Sequence, residues 1–377
     1  MVPGLAGDGG ATWPCSLTAC DFTLGALPGN VNPRVRSSDY TWAETSGELP
    51  KRPKGSDCKS DGVAFVSSNL ALATSTTQSR RTFGSPAFLF HYTPYPSEMT
   101  DLATPDLSDL LGLARETALT AGALAKQRRA EGVQIAASKS SPEDVVTQAD
   151  RETERCIRRL LADARPNDGF YGEESEGTTG SSGLTWVVDP IDGTVNYLYG
   201  IPLYAVSIAV VEGEADPATR RALAGAVYNP ALDELYTAAA GRGAYLGPRR
   251  LHANTDVPLG LALAGTGFGY LAKRRQWQAD VMRGLIGEVR DVRRLGSAAL
   301  DLCGVAAGRL DVYFERGLHP WDHAAGALIA REAGAQVGGL GNEREGESLL
   351  IAADPGLYAR FEPVLAKLFE QHAASAA

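Results

Sequence analysis

The feature that most constrains the fold is the stretch Trp186-Val187-Val188-Asp189-Pro190-Ile191-Asp192-Gly193-Thr194. Its apolar, β-branched start predicts a buried strand, and the strand runs into two carboxylates separated by a proline. Pro190 restricts its own φ and biases Asp189 toward extended backbone, so the strand is expected to stop there. Asp192, Gly193 and Thr194 predict a turn entering a helix, with free backbone N–H groups and a hydroxyl. Carboxylates at a strand tip beside a helix N-terminus can hold hard cations and an anion together. The competing reading is an Asp-Pro and Asp-Gly turn of any α/β protein.

The flanking text supplies both periods. Asp106 or Ser108 can cap a helix running to about residue 130, with Leu110, Leu113, Ala114, Thr117, Ala121 and Leu124 on one stripe. A polar loop over residues 138–144 leads to Thr147 and Asp150, either of which can cap a second helix ending near residue 164. Residues 204–211, 222–228, 234–238 and 244–246 are short, turn-bounded apolar runs that predict an antiparallel meander. Strands at 261–265, 291–292, 310–314 and 349–352 then alternate with helices at 272–285, 297–307, 320–331 and 355–369. Pro320 suits the first position of its helix. Strands and helices mixed in this way predict a layered α/β or α+β sandwich.

Residues 1–98 read differently, being rich in Ser, Thr, Pro and Gly with no sustained period, and they hold three of the five cysteines. Met99 opens the changed text, so the expected division is a disordered extension over 1–98 and a folded domain over 99–377, with Met99 the native start. A genuine regulatory arm is the alternative. A net charge of -9 argues against a general nucleic-acid surface. No run of about 18 apolar residues suggests a membrane span, and no secretory signal opens the chain. Five scattered cysteines suit neither a disulfide framework nor a zinc site, and the expected location is the cytoplasm.

The acids that stand out are Glu173, Asp189, Asp192 and Asp322. A donor set of oxygens alone favours Mg²⁺, Mn²⁺ or Ca²⁺. His319 and His323 have the i, i+4 spacing of a helical metal pair, but a proline-started helix end is the commoner explanation and no H-E-x-x-H pattern accompanies them. Gly265-Thr266-Gly267-Phe268-Gly269 fails as a dinucleotide loop because Tyr270 stands where glycine is needed. There is no P-loop and no Gly-x-Ser-x-Gly elbow. What survives is a carboxylate metal site beside a helix N-terminus.

Gly172-Glu173-Glu174-Ser175, then Trp186 to Thr194, then His319-Pro320-Trp321-Asp322-His323-Ala324-Ala325-Gly326 resemble the signature blocks of the inositol monophosphatase family. Lys139-Ser140-Ser141 through Thr147-x-x-Asp150 is similar to that family's mobile loop and its Thr-x-x-Asp. Arg293 to Cys303 resembles its substrate-side helix start. The resemblance runs in order from about residue 106 to the C-terminus and implies a five-layered αβαβα sandwich of the sugar phosphatase type. It further implies a homodimer that hydrolyses phosphate monoesters with two or three Mg²⁺, or with Mn²⁺, and is inhibited by Li⁺.

Carried over by the resemblance, Glu173, Asp189 and the Ile191 carbonyl hold the first cation, and Asp189, Asp192 and Asp322 the second. The amides of Gly193 and Thr194 bind phosphate. Thr194, supported by Glu173 and by Asp150 with Thr147, orients the attacking, metal-activated water. Glu315 accepts hydrogen bonds from substrate hydroxyls, with Gly296, Ser297 and Ala298 lining that side and Lys139 closing over from its loop. Two cations about 4 Å apart would stabilise both attacking and leaving oxygens, supplying positive charge to an acidic chain.

The expected reaction is myo-inositol 1-phosphate to myo-inositol and phosphate. A related phosphatase of fructose 1,6-bisphosphate, histidinol phosphate or another polyol or nucleotide phosphate is the nearest rival. A non-catalytic regulator binding RNA or polymerase is the rival from another class, and it would be marked by a lost metal ligand.

Overall fold

The computed structural model describes residues 106–372 except 134, 139–144 and 342; the expectations for residues 1–98, Met99 and Lys139 lie outside the described residues. Local chemistry sets the first helix starts. The Asp106 side chain accepts from Ser108 N to open α1 (Leu107–Glu131). β1 (Ile135–Ser138) and β2 (Val145–Thr147) pair as an antiparallel ribbon, and Thr147 ends it as the cap of α2 (Gln148–Ala164). Thr147 and Asp150 form a reciprocal capping box, so one is the cap and the other its third-residue partner.

A seven-stranded sheet follows: β3 (Gly169–Gly172), β4 (Leu184–Asp192), β5 (Ala205–Glu212), β6 (Arg221–Asn229), β7 (Glu234–Ala239), β8 (Ala244–Leu246) and β9 (Arg249–Arg250), in that spatial order. The short helix α3 (Thr194–Tyr199) sits between β4 and β5. Among the described residues of this sheet only the β3–β4 pair is parallel; β4 through β9 pair antiparallel in chain order, and β5 to β8 are the expected meander. The second sheet has the order β11-β10-β12-β14-β13, built from β10 (Leu263–Thr266), β11 (Asp291–Arg293), β12 (Val312–Glu315), β13 (Gln336–Gly338) and β14 (Leu350–Ala353). Interleaved with these strands are α4 (Ala272–Leu285), α5 (Ala298–Ala306), α6 (Pro320–Glu332) and α7 (Pro355–Gln371).

Side-chain alternation turns this order into layers. Trp186, Val188, Val206, Ile208 and Val210 pack against Leu110, Ala114 and Ala121 of α1 and Ile157 and Leu161 of α2. Val187, Ala205, Ala209 and Val211, on the opposite face, meet α5 and α6 through Ala299, Cys303, Ala325 and Ile329. The second sheet repeats the pattern, with Tyr313, Leu350 and Ala352 toward Leu302 and Val305. Val312, Phe314 and Ile351 face α4 and α7 through Trp277, Val281, Phe361 and Leu365. The result is the αβαβα sandwich, with α5 and α6 buried between two sheets.

Three expectations are corrected. Pro190 does not end its strand: β4 continues to Asp192, and the pairing with β5 shifts register between Asp189 and Asp192. Asp189 lies opposite Ser207 and Asp192 opposite Ala205, so β4 takes three steps where β5 takes two. That one-residue bulge tolerates the missing proline N–H. The strand read at 261–265 begins at Leu263, because Leu259–Leu261 form a 3₁₀ turn that consumes its start. The strand read at 310–314 is β12, shifted to Val312–Glu315.

Gly225 shows how tightly the central helices press on the first sheet: a Cβ there would fall 3.2 Å from Ala325 Cα. Gly225→Leu is expected to destabilise the domain by about 1–3 kcal/mol through overpacking, read as a lowered urea midpoint at unchanged m-value.

Candidate active site

The bulge decides where the acids point. In a regular strand, residues three apart face opposite ways. The extra residue in β4 restores parity, so Asp189 and Asp192 share the face of their partners Ser207 and Ala205, toward α5 and α6. Glu173 arrives from β3, whose parallel register of Gly172 with Val188 places the next residue alongside Asp189. Asp322 is the third residue of α6, where its Oδ2 accepts from His319 N at 2.6 Å. All four acids line one cleft of about 530 Å³, together with Gly193, Thr194, Gly296, Ser297, Ala298 and Glu315. The cleft lies where the ends of β4, β12, α5 and α6 converge.

Burial raises the pKa of three of these acids, Asp189, Asp192 and Asp322. Burial, then the charges of Glu173, Asp192 and Asp322, raises Asp189 well above the usual carboxylate range. Burial likewise raises Asp322, with Glu173 and Asp192 adding to it and the His319 amide opposing. Asp192 is pushed to about 6 by burial, against the stabilising hydrogen bonds of Ser297 and Ala299. Those bonds are short: Ser297 Oγ and Ala299 N both donate to Asp192 Oδ2, at 2.5 and 2.7 Å. The Ser297 hydroxyl, expected on the substrate side, therefore both caps α5 and holds Asp192. Ile191 N donates back to Asp189 Oδ1 at 3.0 Å.

The second group is built on the capping box. Asp150 is fully buried, and its Oδ2 accepts from Thr147 N at 2.8 Å and from the Thr147 hydroxyl. Its Oδ1 faces Thr194 Oγ1 at 3.2 Å, and Thr194 Oγ1 is also 3.1 Å from Ile191 O. Burial raises Asp150 to about 6, with the Thr147 hydrogen bonds opposing. Capping and site membership thus use the two oxygens of one carboxylate and are not alternatives. Gly193 opens α3 at φ 90°, and a Cβ there would fall 3.0 Å from both Gly296 O and Leu203 O. Asn196 ties that turn down, donating from Nδ2 to Leu203 O at 2.7 Å and Leu295 O at 2.8 Å.

On the opposite wall, Tyr313 Oη donates to Glu315 Oε2 at 2.5 Å. Desolvation pushes Glu315 to about 7, with Tyr313 and the Arg294 charge opposing. Glu315 also explains the failed dinucleotide loop: a Cβ on Gly267 would fall 1.9 Å from its Oε2, so the glycine clears room for a carboxylate. The cleft further holds Phe268, Arg294, His319 and Trp321, which lie in stretches quoted from the sequence but were assigned no contact there, and Arg274 and Arg316, which sequence reasoning missed. Glycines clear the path of two of them: Cβ atoms on Gly296 and Gly317 would meet Arg294 Nη1 at 2.6 Å and Arg274 Nη1 at 2.4 Å. The two histidines part company. His319 stacks on Trp321 with ring centroids 4.9 Å apart, whereas His323 is fully buried with Nδ1 facing Arg220 Nη2 at 3.1 Å.

Among the described residues, no group of three or more His, Cys, Asp or Glu side chains is gathered closely enough to form a ready-made metal shell. The acids share a cleft rather than a point. The donor set still fits a hard divalent cation: carboxylate oxygens whose partners here are backbone N–H groups and a hydroxyl, with Asp189 and Glu173 hydrogen-bonded to each other. A cation between two carboxylates replaces the shared proton.

The folded pKa values of Asp189, Asp192 and Asp322 lie above their unfolded ones, so their contribution to stability is present at low pH and lost as pH rises through those values. In the presence of a chelator, Asp189→Asn is therefore expected to raise Tm by a few degrees at pH 8 and to leave it unchanged near pH 4. Differential scanning calorimetry across that range checks it; equal offsets at both ends would contradict the crowding.

Comparison with known proteins places the chain in a family. The inositol monophosphatase family model matches residues 106–374. The inositol-1-monophosphatase SuhB of Mycobacterium tuberculosis is 47% identical over 268 residues, 66% of this chain and 90% of that one. The Nus factor SuhB of Pasteurella multocida is 38% identical over 234 residues, 61% of this chain and 85% of that one. The crystal structure of the extragenic suppressor protein suhB from Bartonella henselae superposes with a TM-score of 0.63 at 37% identity, covering 69% of this chain and 99% of that one. Fold, cleft and relatives agree that this chain belongs to the inositol monophosphatase family and is a phosphatase, a hydrolase of phosphoric monoesters.

Proposed function

We propose that the enzyme hydrolyses myo-inositol 1-phosphate, using Mg²⁺ and a water directed by Thr194 and Asp150. The observation that carries this reading is one cleft lined on one side by Glu173, Asp189, Asp192 and Asp322 and on the other by Glu315, with Gly193 and Thr194 between them. Acids alone would repel a phosphate dianion, so the site needs cations. Glu173, Asp189 and the Ile191 carbonyl would hold one, and Asp189, Asp192 and Asp322 another, with a third or Mn²⁺ also compatible with oxygen donors. Bound there, the cations supply the positive charge for the ester and lower the pKa of the attacking water.

The chain's own groups do the rest. The amides of Gly193 and Thr194 face the phosphate at the start of α3. Thr194 Oγ1 donates to Asp150 Oδ1, which leaves its lone pairs to accept from the attacking water and pass the proton toward Asp150. Thr147 locks Asp150 in that pose. Glu315, held by Tyr313, is an acceptor for the hydroxyls of a polyol, with Gly296 and Ala298 shaping that wall. A hydroxyl acceptor deep in the cleft favours inositol phosphate over esters with few hydroxyls.

The name Nus factor borne by the Pasteurella relative favours a second reading, in which the same fold also serves transcription. All four acids are present here, so that role would accompany catalysis, not replace it. Light scattering is expected to give a homodimer.

Phosphate release from inositol 1-phosphate is expected to require Mg²⁺, to fall with Li⁺, and to exceed release from fructose 1,6-bisphosphate. Release from the bisphosphate that is the faster of the two would reassign the substrate. Asp192→Asn is expected to cut kcat by about 100-fold or more with the fold intact, because it removes a ligand charge; near-normal activity in that variant would defeat the ligand assignment.

A further inference from the structure

One face of α2 carries Asp150, Glu154 and Arg158 at four-residue intervals, so their side chains follow one another along a single stripe. Asp150 serves Thr194. Glu154, one turn on, is only 2% exposed and is not among the residues lining the cleft. Its Oε2 accepts from Glu174 N at 2.8 Å, and its Oε1 accepts from the Ser175 hydroxyl. Arg158 Nη2 donates to Ser175 Oγ at 2.8 Å and to Glu176 O at 2.7 Å, with its guanidinium 4.1 Å above the Phe170 ring. Gly172 is cleared for the same carboxylate, since a Cβ there would fall 2.4 Å from Glu154 Oε2.

These contacts take over where the sheet stops. The β3–β4 ladder ends at Gly172, one residue before Glu173, and the following chain is an irregular loop. Past Gly172 the β3–β4 ladder no longer restrains the backbone that carries Glu173. A buried carboxylate accepting charge-assisted bonds from the next two residues removes that freedom.

We propose that Glu154, braced by Arg158, is the positioning residue for Glu173: it fixes the backbone at 174–175 and so sets the divalent-cation affinity of the site without touching cation or substrate. The inference rests on the reading of Glu173 as a cation ligand. Residues that orient metal ligands in this way typically change affinity by about 10–100-fold when lost.

The test is calorimetric titration of the metal-free full chain with Mn²⁺ alone, alongside the Mg²⁺ concentration giving half-maximal phosphatase activity. Glu154→Ala is expected to weaken Mn²⁺ binding about 10-fold or more and to raise the Mg²⁺ half-saturation equally, while kcat at saturating Mg²⁺ stays within about threefold. Glu154→Gln should recover most of the affinity, because its amide oxygen can accept from Glu174 N while its NH₂ donates to Ser175 Oγ. If Glu154→Ala does not fold, Ser175→Ala takes its place with a smaller shift in the same direction. Glu173→Gln is the internal reference. Should it weaken Mn²⁺ while Glu154→Ala and Ser175→Ala bind normally, the positioning role is overturned. Normal binding by Glu173→Gln would overturn the ligand reading and the positioning role together.

Discussion

The structure depends on one unfavourable arrangement: Asp189 and Asp192 buried on the same face of one strand, both raised above the usual carboxylate range by that burial, with the Asp192 charge adding to the rise at Asp189. Burying an ionised carboxylate is costly unless it is paired or hydrogen-bonded, and two together cost more than twice one. Everything nearby lowers that cost. The bulge aims both acids at a polar cleft, Ile191 N and Ala299 N donate to them, and the Ser297 hydroxyl is drawn in as a further donor. A site so built is ready to exchange protons for hard cations.

The five layers exist to hold that arrangement from several directions. β4 supplies two acids, the residue that follows β3 a third and α6 the fourth, while the start of α5 supplies the donors that restrain Asp192. α5 and α6 can do this only because both sheets cover them; α5 is buried along its whole length. Such a helix cannot tilt without disturbing two cores, which is the rigidity a metal site needs. α2 holds the opposite side through Asp150 and Glu154, so both ends of the acid cluster are tied to helices rather than to loops.

Much of this was legible in the sequence because the signals were local. Helices announced themselves by caps at Asp106, Thr147 and Ser297 and by Pro320 at a first helical position, and the meander by short β-branched runs between turns. The Thr147–Asp150 capping box was read as either cap or site, and it is both, since a carboxylate has two oxygens and can serve one partner with each. The short strands β9 and β13 were not legible: two or three residues carry no period, and only neighbouring strands make them strands. Arg274 and Arg316 were invisible as cleft residues for a related reason, because an arginine's reach is longer than any sequence spacing that could report it.

By itself the sequence determined the element types, the family blocks and the identity of the four acids, since these follow from periodicity, caps and residue chemistry along a contiguous chain. Tertiary structure alone decided that Asp189 and Asp192 face the same way. Three residues apart on a strand they should oppose each other, and the proline that seemed to end β4 instead marks the bulge that turns one of them around. Pairing register is a property of two strands at once, so no reading of one strand could have supplied it.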